Sequence, residues 1–233
     1  MEHAEFAGLC QELAREPYEH RGILNSEIAL ILYVCRRLKI ERLIETGRAR
    51  AQSTYLLGKY LPDVQIYSVE LRSGPDETFG RARVAALGNV NLYTGDGMLL
   101  VPFLAARIER PTAILCDGPK GANAVAILER CFARPHVKVG FIHDMRRLDH
   151  GEPSPHRAVA IERLPKHRFS DDPAYVATSS WMDANVMRVR GPAGPDHEAE
   201  FGSYGPTIGV FFNHLHSTAI SNQQGEIPCP APC

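Results

Sequence analysis

Five acidic side chains, Glu45, Glu70, Asp96, Asp117 and Asp144, each end a short apolar run or follow it closely. If those runs are strands of one parallel sheet, their carboxyl ends line a single crevice, where ligands bind in such folds. Carboxylates gathered there can accept hydrogen bonds from sugar hydroxyls or hold a cation. The plainer alternative is that each acid only starts the next helix, where the dipole favours it. One such acid would mean little; five in succession favour a ligand site. Asp117 and Asp144 stand 27 residues apart, Lys120 follows the first by three, and His143 precedes the second. Two hard carboxylates converging on one crevice are what a magnesium or calcium ion requires. Such an ion lowers the pKa of a bound hydroxyl, and a partly desolvated lysine can take the proton at neutral pH. His143 titrates near neutrality and could serve the same site. Each residue has a bland counterpart. The aspartates could be turn or polar-substrate groups, Lys120 a solvated lysine at a helix start, and His143 a satisfied core histidine.

The elements that must position these residues alternate. Apolar runs over 42–46, 64–69, 89–93, 112–116 and 137–142 read as strands, and helical patterns over 51–60, 76–87, 98–108 and 121–133 lie between them. Two helices precede them, over 3–15 and 26–38. The second has Asn25 as its N-cap and Ile28, Ile31, Leu32 and Cys35 at helical spacing. Five strands alternating with four helices require a parallel sheet covered on both faces. Residues 175–179 and 207–212 are expected to add an antiparallel hairpin at one edge. The fold class is therefore α/β, a doubly wound, mostly parallel seven-stranded sheet. Ten of the 17 prolines fall in the last 83 residues, where loops lengthen. The chain divides into N-terminal helices (1–39), a ligand-binding core (40–145) and a loop-rich substrate side (146–220). All three form one domain over 1–220, followed by a flexible tail over 221–233. Trp181, the only tryptophan, is expected to pack on the sheet edge.

A dinucleotide would want Gly-x-Gly-x-x-Gly after the first strand, but Gly47-Arg48-Ala49-Arg50-Ala51-Gln52 holds one glycine. An acid at the end of the second strand still suits a ribose, and Glu70 lies 25 residues after Glu45. Ribose without pyrophosphate points to an adenosyl group. Over about residues 40–145 the chain resembles the class I S-adenosylmethionine-dependent methyltransferases. Glu45-Thr-Gly47-Arg-Ala-Arg-Ala51-Gln-Ser53-Thr54 is similar to the Glu-x-Gly-x-x-x-Gly-x-Ser-Thr form of their first motif, with Ala51 at the second glycine. The resemblance implies a Rossmann-like methyltransferase fold and S-adenosylmethionine as cofactor. It implies that the loop carrying Glu45, Gly47 and Ser53 holds the methionine part, that Glu70 holds the ribose, and that Asp96 lies near the adenine. Asp117-Gly-Pro-Lys120 followed by Asp144 is similar to the catechol-type, metal-dependent O-methyltransferases, which carry Asp-x-x-Lys after the fourth strand and Asp-Asn after the fifth. By that likeness Asp117 and Asp144 ligate Mg2+, Asp117 also faces the cofactor, and Lys120 is the general base, with His143 beside it. Met145 stands where the family has its asparagine ligand.

Composition bounds the partners. Lys plus Arg is 26 and Asp plus Glu 27, so no net field draws in nucleic acid or an anionic membrane. The longest strongly apolar run, residues 28–35, is too short to span a bilayer. The acidic start lacks the basic flank of a secretory signal, and a cytoplasmic protein is expected. Cys10, Cys35, Cys116 and Cys131 lie in apolar segments as buried thiols, while Cys229 and Cys233 read as tail residues rather than a zinc pair. The expected partner is a small-molecule substrate, methylated on oxygen. A homodimer could form through the apolar helix over 26–38. A catalytically inactive methyltransferase-like module for binding or assembly is the alternative, and a nicotinamide-dependent enzyme is disfavoured by the missing glycines.

Overall fold

The computed structural model describes residues 2–18, 22–148, 151–189 and 207–213. Two helices, α1 (Glu2–Leu13) and α2 (Asn25–Arg37), precede the alternating part. That part runs β1 (Arg42–Thr46), α3 (Gln52–Tyr60), β2 (Gln65–Glu70), α4 (Pro75–Val84), β3 (Val90–Thr94), α5 (Gly97–Ala105), β4 (Thr112–Cys116), α6 (Ala122–Phe132) and β5 (Val137–Ile142). It continues through α7 (Pro155–Arg163), β6 (His167–Phe169), α8 (Pro173–Val189) and β7 (Gly209–Phe212). The seven strands form one sheet in the order β3-β2-β1-β4-β5-β7-β6. The first five are parallel, and β7 lies antiparallel between β5 and β6. This is the expected doubly wound fold with an antiparallel edge.

Each face of the sheet carries its own apolar layer, as burial on both sides of parallel strands demands. One packs α1, α2, α3 and α8 on the sheet through residues such as Leu13, Ile31, Leu57, Tyr175 and Phe141. The other packs α5, α6 and α7 through Val101, Leu128, Ala160 and Ile142. Asn25 to Cys35 of α2 are all buried inside this chain, so the apolar helix expected to meet a second copy is already covered. Asn25 is the first helical residue rather than the cap: its amide donates to Leu13 O and Glu16 O, tying α2 to the end of α1.

The edge differs from the expected hairpin. Residues 175–179 are helical, within α8, and the missing strand is the three-residue β6. Tyr175, Ser179 and Met182 are buried at four- and three-residue spacing, a helical period. Ala174 N donates to Asp172 Oδ1 where Pro173 opens the helix. Trp181 lies on the open side of α8, 47% exposed, with its Nε1 donating to Thr178 O. Residues 221–233, with Cys229 and Cys233, lie outside the described residues.

Candidate functional site

Three loops meet at the carboxyl end of β1. Thr46 Oγ1 donates to Gly118 O at 2.6 Å, and Thr46 O accepts from Asp117 N and Gly118 N. Gly47 has φ +92°, and a Cβ there would stand 2.5 Å from Gly118 N and 2.8 Å from Asp117 C. Only glycine allows the loop after β1 to lie so close to the loop after β4. Gly97, opening α5, is confined in the same way by the Thr46 hydroxyl.

Two of the expected residues lie beneath this junction. Glu45 is fully buried and accepts hydrogen bonds from Ser53 Oγ, Thr54 Oγ1 and Ser68 Oγ. Burial raises its pKa, against the lowering by those hydroxyls. Ser53 therefore turns its hydroxyl inward and fixes α3 on the sheet. Arg48, absent from the sequence reading, is buried as well: Nη1 donates to Ser68 O at 2.6 Å and Nη2 to Glu77 Oε1 at 2.9 Å. It pins the first loop to α4. Ala51, at the family's second glycine, takes the left-handed conformation that a glycine would favour, φ +60°.

Along the β2–β3 side, Glu70 closes β2 and its carboxylate accepts from Ala49 N at 2.7 Å and Leu71 N at 2.8 Å. Asp96 is exposed and caps α5, accepting from Met98 N through Oδ1. Leu71 and Leu99, one residue after Glu70 and three after Asp96, are 61% and 63% exposed.

The ends of β4 and β5 bring together Asp117, Lys120, His143 and Asp144. The Lys120 ammonium contacts Asp117 Oδ1 and lies 2.8 Å from Asp144 Oδ2. His143 Nδ1 lies 2.8 Å from Asp117 Oδ1 and 3.5 Å from Asp144 Oδ1, and its Nε2 lies 3.4 Å from Glu27 Oε2. Glu27, from α2, is 0% exposed; it also accepts from Leu24 N at 3.0 Å and Thr207 N at 2.5 Å. The sequence reading missed it, because an acid in the first turn of a helix is ordinary.

The charges set one another. Burial disfavours ionised Asp117, but His143 and Lys120 outweigh it and hold its carboxyl well below the usual range. Asp144 is lowered by the same two cations against its own desolvation. Burial opposes the His143 cation too, yet Asp117 and Glu27 raise its pKa well above the ordinary value. Lys120 is raised by Asp117 and Asp144 despite desolvation. Both cations are therefore protonated at neutral pH, and both ring nitrogens of His143 face carboxylates.

His143 and Asp144 directly follow β5, and Met145 comes next. β5 ends at Ile142, and the Met145 side chain is buried in the apolar layer. Asp117, His143 and Asp144 offer ligand atoms all within 4.8 Å of one another. Magnesium prefers oxygen ligands to imidazole, and both carboxylates of this set already receive the Lys120 ammonium. These residues do not fit a resident magnesium ion.

His156 lies in the first turn of α7 against Gly121, the residue after Lys120. His150, His214 and His216 lie outside the described residues.

No protein-family model matches the sequence, and neither does any curated protein. Solved structures do share the fold. The O-methyltransferase TomG from Streptomyces achromogenes, involved in tomaymycin synthesis and solved with S-adenosylmethionine, is 14% identical with a TM-score of 0.51. That match covers 91% of this chain and 89% of that one. An O-methyltransferase from Bacillus cereus, solved with S-adenosylhomocysteine, is also 14% identical, with a TM-score of 0.50 and 90% of each chain covered. The sheet order and its antiparallel edge are thus those of the Rossmann-like methyltransferase fold. No helix among the described residues is long and apolar enough to cross a membrane.

Proposed function

We propose that this chain binds S-adenosylmethionine across the carboxyl ends of β1 to β4 and transfers its methyl group to an acidic oxygen of a small molecule. The observation that carries the reading is the seating of Gly47 on Gly118. It sets the first loop between Glu70 on one side and the Asp117–Lys120–His143–Asp144 cluster on the other. An adenosyl ligand laid along that edge has its ribose at Glu70 and its sulfonium toward the acids. The exposed faces of Leu71 and Leu99 suit a flat base. The two solved relatives, with their cofactor or its demethylated product bound, support the same choice.

In the reaction, a lone pair of the acceptor oxygen attacks the methyl carbon while the carbon–sulfur bond breaks and a neutral thioether leaves. The chain must align the two and manage the acceptor's proton. Lys120 and His143 are protonated, and the two aspartates are weak bases because their pKa values are depressed. The cluster is therefore suited to an acceptor that gives up its proton to solvent readily: a phenol, an enol or a carboxylic acid. Lys120 then donates a charge-assisted hydrogen bond to the acceptor oxygen and holds it in line. Isothermal titration with S-adenosylmethionine and S-adenosylhomocysteine tests the reading; heat of binding is expected for both, and silence at millimolar ligand would overturn it.

A second reading, a methyltransferase-like binding module, draws support from Glu70, whose two oxygens already accept backbone N–H groups. Binding of both compounds without methyl transfer to any of a panel of phenols, enols and carboxylic acids would favour it.

A further inference from the structure

We propose that the Lys120 ammonium holds the place between Asp117 and Asp144 that a divalent ion would otherwise take, so that this centre carries its own cation. The Nζ atom touches Asp117 Oδ1 and stands 2.8 Å from Asp144 Oδ2, the two oxygens that would face an ion. A metal bound to them at about 2.1 Å would meet the ammonium at less than contact distance and repel it. His143 Nδ1 lies 2.8 Å from Asp117 Oδ1 as well, and Glu27 brackets the far side of the ring. The carboxyl groups of the crevice are thus already engaged by groups of the chain itself. The next position along the chain supplies no further donor, because Met145 turns into the core. Asp144 sits at φ +64°, a conformation aspartate tolerates better than most residues, and it points a half-exposed carboxylate back at the lysine. A compact point charge on a flexible stem is what such a bridge requires.

The inference rests on reading this crevice as the reacting end of the site, but its test reads metal rather than methyl transfer. Wild-type protein purified without added metal is assayed for divalent ions by elemental analysis. It is then heated with and without millimolar MgCl2 or MnCl2, beside Lys120→Met, Lys120→Gln and Lys120→Arg. The wild type and Lys120→Arg are expected to hold far less than one equivalent of metal and to show no salt-specific shift in Tm. Lys120→Met and Lys120→Gln uncover the carboxylate pair. Either is expected to gain about 3 °C with MnCl2, reversed by EDTA. Stoichiometric metal in the wild type, a metal-dependent rise in its Tm, or silence of both charge-removing variants would overturn the proposal. Titration of the same wild-type sample with S-adenosylmethionine separates the two readings. A protein that binds the cofactor and also a metal sinks only this inference; one that binds neither sinks only the cofactor reading.

Discussion

Glu27 ties the crevice to the helices outside the sheet. Its carboxylate accepts from Leu24 N at the start of α2, from Thr207 N before β7, and faces His143 Nε2. Truncation to alanine strands two backbone donors, one of them fully buried, and leaves His143 with acids on one side only. Glu27→Ala is expected to cost about 3 kcal/mol in urea unfolding, and Glu27→Gln about 2 kcal/mol, because the amide oxygen still accepts one of the two N–H groups while its NH2 faces the other. An equal loss in both would show that the charge, not the acceptor, carries the contact. In the sequence this residue sits in the first turn of a helix, where an acid is ordinary. Its partners come from residues 143 and 207, distances that no local pattern encodes. Asp117, His143 and Asp144 were legible for the opposite reason: they stand at the ends of apolar runs, and Lys120 follows the first of them by three residues.

The alternation of β1 to β5 with α3 to α6 was readable because every element is long enough to show its period. The far edge was not. β6 is three residues, too few for any alternation, while residues 175–179 contain tyrosine, valine and threonine, which favour strands, although the structure buries Tyr175 and Ser179 at a helical spacing of four. Loop contact was half readable: the glycine of the first motif was visible, but the backbone it must touch was not. Gly47→Ala places a methyl group 2.5 Å from Gly118 N at a φ of +92°. The loops after β1 and β4 must then part. A loss of about 2 kcal/mol in stability and at least about tenfold in affinity for S-adenosylmethionine is expected, from calorimetry on the folded variant. Unchanged affinity would mean that the junction does not shape the cofactor site.

For the molecule as a whole, a formal charge of −1 hides a concentrated cluster in which Asp117 is held well below, and His143 well above, its ordinary pKa. Asp117 and Asp144 have depressed values in the folded chain, so their contribution is present above about pH 3.9 and fades as the pH falls below it. Glu45 is raised, so its burial weighs against folding as the pH climbs past about 4.3. His143 is raised too. Its stabilising share is complete below about pH 6.5 and is lost as the pH rises through a folded value well above that. The urea midpoint of the wild type is therefore expected to fall on the alkaline side of neutrality, and His143→Gln to flatten that fall. A parallel slope in the variant would assign the loss to other groups. The position of β7 carries a different consequence, for the order in which the molecule is made. β7 inserts between β5 and β6, and Thr207 just before it exchanges hydrogen bonds with Glu27 and Met145. A nascent chain halted before residue 207 has all four cluster residues but neither the strand that joins β6 to the sheet nor the clasp on Glu27. The end of the crevice that holds Asp117 and His143 is thus completed only when β7 emerges from the ribosome, and chains released earlier present an open sheet edge beside β5.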